Sequence, residues 1–296
     1  MNENIRHTGG RKDEFQEIDQ RQKHALVLFT KYPEPGITKT RLIDENGGAL
    51  SAEEAADLYR AMVMDTTDAS LQAMRLCEKE KSSGDAFDFF ISSSPAGEIK
   101  RVQEIFSAEF PSEKLNYVVD QGTNFDEHFN DCFSQLFEMG YNAVVCIGGD
   151  LPGITPDILF RAFGHLFSLE KLSQHGAMVL APCQAAGVSL VGVTRSAAMD
   201  FTGVFYNEDG ISALDAIIQI AKIKNIPTTL LEALFDVDYM EDLGHIISVA
   251  TAMEYISQFQ TEIVTPKRTL ETIRKIGLAI TTPPNTAHDP RSKQDD

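Results

Sequence analysis

Between residues 24 and 260, apolar and polar positions fall into two alternating patterns. Short continuous apolar runs mark strands buried on both faces, and stretches with apolar residues every three or four positions mark helices resting one face on a core. The runs predict strands over 25–30 (ALVLFT), 87–92 (FDFFIS), 115–120 (LNYVVD), 142–147 (NAVVCI), 177–181 (AMVLA), 189–193 (SLVGV) and 228–231. A helix is predicted over 51–73, where Ser51 and Glu54 form a capping box and Ala55, Leu58, Met62, Ala69 and Ala73 share one face. Further helices are expected over 98–106, behind the Asn124–Glu127 cap, behind Thr155 with Pro156 at the first helical position, over 211–223, and from 239 to about 259.

Repeated strand–helix alternation predicts an α/β fold in one domain, with a mainly parallel central sheet and helices on both faces. No repeat or linker interrupts residues 24–260. The polar segment 1–23 reads as a flexible arm, 261–280 as a helical extension packed on the outside, and the Pro-rich segment 281–296 as a disordered tail.

Composition narrows the partners. The 296 residues are 43% apolar, enough for a sizeable core, and carry a net charge of −18. That field repels nucleic acid and anionic membranes, but a small phosphorylated ligand needs only a few local cations. No apolar stretch reaches the ~18 residues of a membrane span, and the polar N-terminus has no signal core. Cys77, Cys132, Cys146 and Cys183 form no CxxC pair and read as reduced core thiols of a cytoplasmic protein.

In an open α/β sheet ligands bind beyond the carboxyl ends of the strands, so the residues that follow each strand carry the functional reading. After the first strand come Lys31, Pro35, Gly36, Thr38, Lys39, Thr40 and Arg41. Pro35-Gly36 suits the centre of a type II turn, whose backbone N–H groups can face a ligand. Lys39 and Arg41 bracket Thr40 in an otherwise acidic chain, a combination that suits a pyrophosphate or, more plainly, a solvated loop. The loop is neither a Walker A sequence nor GxGxxG.

Asp150 ends the 142–147 strand behind Gly148 and Gly149. The glycines allow close approach of a ligand, and the carboxylate can hold Mg²⁺ or Mn²⁺ between phosphates or simply cap the turn before Thr155. Asp236 and Asp238 follow the last strand; Asp238 with Glu241 fits either a helix cap or a metal contact. The 120–124 segment, with Gly122, can touch a base or ribose or serve as a turn. Phe125, Phe129, Phe133 and Phe137 read as a core stripe, His128, His165 and His175 as surface or boundary residues, and 207–210 as a turn before the next helix, with Glu208 or Asp209 the alternative candidates for an acceptor side. HExxH, close histidine pairs and GxSxG are absent, which leaves zinc protease and serine hydrolase chemistry without support.

Four motifs stand in order: F-x-x-x-P-x-P-G-x-x-K-T-R-L at 29–42, G-G-D-L-P-G at 148–153, P-x-x-x-x-G-x-x-L-V-G at 182–192, and D-V-D-x-x-E-D-L at 236–243. Across roughly 24–245 the chain resembles the DUF2064 family of GT-A glycosyltransferase-like proteins, and more distantly the 2-phospho-lactate and molybdenum-cofactor guanylyltransferases. The resemblance implies a Rossmann-like GT-A fold, with Lys39 and Arg41 on phosphates, Asp150 on a divalent metal and Asp238 at the family's late acidic position. It implies a metal-dependent enzyme using a nucleoside-diphosphate-sugar donor and a small-molecule acceptor, with Lys39, Arg41 and Asp150 catalytic. The alternatives are a nucleotidyltransferase that joins an NTP to a phosphorylated acceptor, and a non-catalytic nucleotide-binding descendant. One departure bears on this choice: where the family reads P-x-x-D-G-G-Y-Y-L-I-G, Ala185 replaces the aspartate, Ala186 the first glycine, and both tyrosines are gone.

Overall fold

A computed structural model of the chain describes residues 21–80, 84–93, 96–260 and 262–279. The predicted 281–296 tail and all but the last three residues of the predicted arm lie outside these. The strands are β1 (Lys23–Thr30), β2 (Ala86–Ser93), β3 (Asn116–Val118), β4 (Ala143–Gly148), β5 (Met178–Pro182), β6 (Val188–Thr194) and β7 (Thr228–Leu230). The helices are α1 (Ala52–Glu80), α2 (Ile99–Glu109), α3 (Phe125–Glu138), α4 (Pro156–Glu170), α5 (Ala213–Lys224), α6 (Met240–Ile256) and α7 (Lys267–Ile276). Lys23, expected in the arm, opens β1, because its N–H donates to Asn142 Oδ1 at 3.1 Å.

The seven strands form one sheet in the order β3-β2-β1-β4-β6-β5-β7. Only β6 runs against the others: it is antiparallel to β4 and β5, whereas β1–β2, β1–β4, β2–β3 and β5–β7 are parallel. The cause is local. Residues 183–187 are far too few for a crossover, which takes roughly a dozen residues, so β5 turns straight back as a hairpin. Its tip therefore lies at the carboxyl edge of the parallel strands, beside the loops where a ligand is expected.

Alternate strand residues feed two cores, as the period of two requires. Leu26, Leu28, Val145, Ile147 and Val179 pack with α1, α2, α4, α6 and α7 on one face; Ala25, Val27, Val144, Cys146 and Leu180 pack with α3 and α5 on the other. The strands are thus apolar on both sides, which is why they read as continuous runs. Gly192 on β6 leaves no room for a side chain: a Cβ there would stand 2.6 Å from Val179 Cγ1 and 3.2 Å from Leu166 Cδ1.

Two connections fix the loops that matter most. The Ser51–Glu54 capping box forms reciprocally, at 2.8 and 3.1 Å, and α1 runs seven residues beyond its expected end at residue 73. After β7, the Leu231 and Leu234 N–H groups donate to Leu180 and Pro182 carbonyls at 2.8 and 2.9 Å, and this laces the chain along β5 until it reaches Asp236. Among the described residues no helix is long and apolar enough to cross a membrane.

Candidate functional site

The first-strand loop folds as its sequence dictates. The Ile37 N–H donates to the Glu34 carbonyl at 3.1 Å, with Gly36 at φ 76°, the type II turn expected of Pro35-Gly36. The turn reverses the chain, and Lys39 follows at φ 51°, a left-handed conformation uncommon for a lysine. From there its side chain reaches back over the sheet edge and is almost fully buried.

Lys39 Nζ donates to Asp150 Oδ2 and, at 2.8 Å, to Asp238 Oδ1; Arg41 Nη1 donates to Asp238 Oδ2 at 2.8 Å. Three segments far apart in sequence, the β1 loop, the end of β4 and the loop before α6, thus meet at one ammonium. Burial alone would depress the Lys39 pKa, but Asp150 and Asp238 outweigh it and hold it above the ordinary lysine value. Burial likewise works against the charged form of Asp238, and Lys39 and Arg41 overcome it to hold that carboxyl below the usual range. Asp236 forms no ion pair of this kind among the described residues. Burial first, then repulsion from Asp150 and Asp238, push its pKa up to about 6.

The expected Asp238–Glu241 cap does not form. Asp242 takes that role, accepting from the Tyr239 and Asp238 N–H groups at 2.8 and 3.1 Å, so the helix starts at Met240 and the Asp238 carboxylate is left for the cations. Asp242 also accepts from Gln184 Nε2 at 2.7 Å, and the same amide donates to the Asp236 carbonyl at 2.8 Å. Gln184 therefore ties the β5–β6 hairpin to the acidic loop. On the other side, Tyr59 of α1 shares a 2.8 Å hydrogen bond with Thr30 Oγ1 and accepts from the Lys31 N–H at 3.3 Å, with Lys39 Nζ 5.7 Å from its ring centroid. Sequence spacing gave no sign of Tyr59, Gln184 or Asp242; each acts through a contact made by tertiary folding.

These groups line one end of a cavity of about 640 Å³. Lys31, Thr38, Lys39, Thr40, Arg41, Gly148, Gly149, Asp150, Asp236 and Asp238 all face it, whereas Pro35, Gly36 and Gly122 are not among its lining residues. Gly122 has a packing reason instead: a Cβ there would come within 2.7 Å of Glu127 Cβ. Packing also explains Gly149, where a Cβ would meet Val63 Cγ2 at 2.8 Å, so close seating of α1 demands glycine before any ligand does. The aromatic stripe is core, as expected: Phe129 and Phe133 are buried and Phe125 and Phe137 pack against them, while Phe125 and Phe129 also border the cavity. Cys183 is not a core thiol, because it faces the cavity 3.7 Å from Asp236 Oδ2, with a pKa pushed up to about 12 by burial and by that carboxylate. Glu208 and Asp209 are absent from the lining, where Tyr206, Asn207, Gly210 and Ile211 stand. His128 is a boundary residue that pairs with buried Asp120 at 2.7 Å.

Among the described residues, no group of three or more His, Cys, Asp or Glu side chains is arranged to hold a metal unaided. The donor set still suits a divalent ion shared with a ligand. Asp150 and Asp238 converge on one cation already, with the Asp236 carboxylate in the same cavity. An ion held by two carboxylates would complete its shell with phosphate and water oxygens.

Residues 91–208 match the DUF2064 family, described as an uncharacterized protein conserved in bacteria. The DUF2064 match takes in the Gly148–Gly153 and Pro182–Gly192 motifs and leaves the first and last motifs outside it. No curated protein matches the sequence. Among solved structures, the chain is similar to a protein of Desulfovibrio desulfuricans G20 provisionally described as a nucleotide-diphospho-sugar transferase, with 22% identity, coverage of 86% of this chain and 96% of that one, and a TM-score of 0.61. It is also similar to a cytidylyltransferase from Leptospira borgpetersenii (11% identity, 88% and 100% coverage, TM-score 0.45) and to a manganese complex of a Mycobacterium tuberculosis H37Rv protein (13%, 77% and 98%, 0.42). The first likeness shows a shared Rossmann-like α/β fold.

Two predictions follow from this geometry. The folded-state pKa of Asp236, about 6, lies above its ordinary 3.8, so folding favours the protonated form and the contribution of this residue falls as pH rises from about 4 to about 6. With metal removed by chelation, Asp236→Asn is expected to stabilise the protein by about 1–2 kcal/mol at pH 7.5, after allowance for solvent screening, and by nothing below about pH 4. Denaturant titrations across that range check the difference. At the hairpin tip, Ala185 and Ala186 sit at φ 52° and 56°, conformations that cost a non-glycine residue about 1–2 kcal/mol. Ala186→Gly should recover about 0.5–1 kcal/mol of this net of glycine's added chain entropy, again read by denaturant unfolding.

Proposed function

We propose that the chain is a transferase that takes a nucleoside-diphosphate sugar and passes its glycosyl group to a small acceptor. The observation that carries this reading is the meeting of Lys39 and Arg41 with Asp150 and Asp238 in one cavity at the carboxyl edge of the sheet. Such a cluster offers cations for a diphosphate and carboxylates for a divalent ion, two requirements of a pyrophosphate leaving group.

In this reading Asp150 and Asp238 would hold Mg²⁺ or Mn²⁺, which would supply Lewis acidity toward a diphosphate. Arg41, half exposed beside Asp238, binds phosphate oxygens with its planar fork. Lys39 has a second role. Its ammonium offsets the carboxylates when no ligand is bound, and turning it toward a phosphate keeps its charge satisfied while freeing Asp150. Packing beside the Tyr59 ring buries the Lys39 ammonium, which strengthens its own charge interactions.

The test is binding first and turnover second. A thermal-shift panel of nucleoside diphosphates and nucleotide sugars, with and without Mn²⁺, is expected to show stabilisation that needs both nucleotide and metal. Lys39→Ala and Arg41→Ala should each weaken nucleotide binding by ~1–3 kcal/mol, the range for a charge-assisted contact. Asp150→Ala should remove the metal dependence. Unchanged nucleotide affinity in both cation variants, with the fold intact, sinks the phosphate assignment. Pyrophosphate release from an NTP in the presence of Mn²⁺ would instead identify a nucleotidyltransferase.

A further inference from the structure

The cavity has a second end that the diphosphate reading leaves unused. Every charged residue of its lining belongs to 31–41, Asp150 or 236–238; the remainder includes Phe29, Phe125, Phe129, Phe205, Tyr206 and Ile211. The rings form one continuous wall. Phe29 lies 5.4 Å from Phe125 and 5.7 Å from Phe129, centroid to centroid, and Phe205 lies 4.9 and 5.1 Å from the same two rings. Tyr206, 81% exposed, closes the row at 5.8 Å from Phe125.

Two polar side chains at this end, Asn207 and Ser189, already have partners, and Tyr206 stands exposed at the lip. Asn207 donates to the Val204 and Ile211 carbonyls at 3.2 and 2.7 Å and accepts from the Ile211 N–H at 2.9 Å. Ser189 donates to the Leu234 carbonyl at 3.4 Å. A nucleobase or a free sugar brought here would lose water from its hydrogen-bonding groups and find few replacements, a cost of about 1–3 kcal/mol for each group left unpaired. An apolar ring loses nothing of the kind and gains stacking area.

The wall is also preformed. The Asp126 carboxylate, in the first turn of α3, accepts from the Gly203 and Phe205 N–H groups at 2.7 and 3.1 Å, and Asn130 Oδ1 accepts from the Phe201 N–H at 2.8 Å. These bonds hold the loop before α5 against α3, so little ordering cost falls on a ligand.

We propose that this aromatic end is the acceptor subsite, and that the acceptor carries an apolar, ring-bearing group bound beside the nucleotide rather than in its place. The inference rests on the transferase reading for the word acceptor; the apolar selectivity of the wall does not depend on it.

The probe is 2-naphthol, with glycerol as a polar control, titrated into the full chain by calorimetry. Naphthol is expected to bind and glycerol not to. Tyr206→Ala and Ile211→Ser, both at the exposed lip, should each weaken naphthol three- to tenfold while circular dichroism and nucleoside-diphosphate affinity stay within error. Failure of naphthol to bind, or binding that both variants leave unchanged, overturns the subsite. Displacement of naphthol by a saturating nucleoside diphosphate also overturns it and makes the wall a base pocket. Nucleoside-diphosphate binding is measured separately without naphthol, and its absence would bring down the transferase reading alone.

Discussion

A single buried ammonium organises the carboxyl edge of this sheet. Lys39 stands between Asp150 and Asp238, and without it three carboxylates would face one another in a half-buried space. Removing one partner from such a cluster is expensive, because the charge left behind has neither water nor a counter-ion. The contact also does what no strand does: it ties the β1 loop to the end of β4 and to the loop that opens α6. The rest of the site is built around keeping that junction in place. Tyr59 supports it from α1, Asp242 shapes the acidic loop, and Gln184 links that loop to the hairpin.

Much of this was legible in the sequence, for reasons that can be named. All seven strands were visible because both faces of the sheet are covered, which makes each strand a continuous apolar run. The cation loop was visible because Pro35-Gly36 has one favoured geometry and because Lys39 and Arg41 are conspicuous in an acidic chain. Strand-end position then told where Asp150 and Asp238 would gather. What escaped were contacts decided by which helix face meets which loop. Tyr59 belongs to no motif of the sequence, and Asp242 was one position away from the cap that spacing suggested. The phenylalanine stripe is periodic whether it fills a core or lines a cavity, so periodicity could not reveal that Phe125 and Phe129 also border the cavity.

Glycine reasoning shows a similar ambiguity. Gly149 looked like a place for a ligand to approach the backbone, yet Val63 Cγ2 already occupies the space a Cβ would need. A glycine required by packing and one required by a ligand look identical in sequence. Only the position of neighbouring atoms separates the two, and at Gly149 the helix accounts for the residue unaided.

The hairpin departure from the family pattern can be argued in the same terms. Where the resembled pattern has an aspartate and a glycine, Ala185 and Ala186 stand in the left-handed backbone that a glycine-rich turn would adopt freely. The turn is therefore held at a conformational cost that something else offsets. The Cys183 N–H to Gly187 carbonyl bond at 3.0 Å closes the tip, and Gln184 anchors it to Asp236 and Asp242. A hairpin that had merely lost its function would have no reason to hold two strained alanines. This one is held by its anchor to the acidic loop, which keeps the strained tip seated beside Asp236 and Asp242.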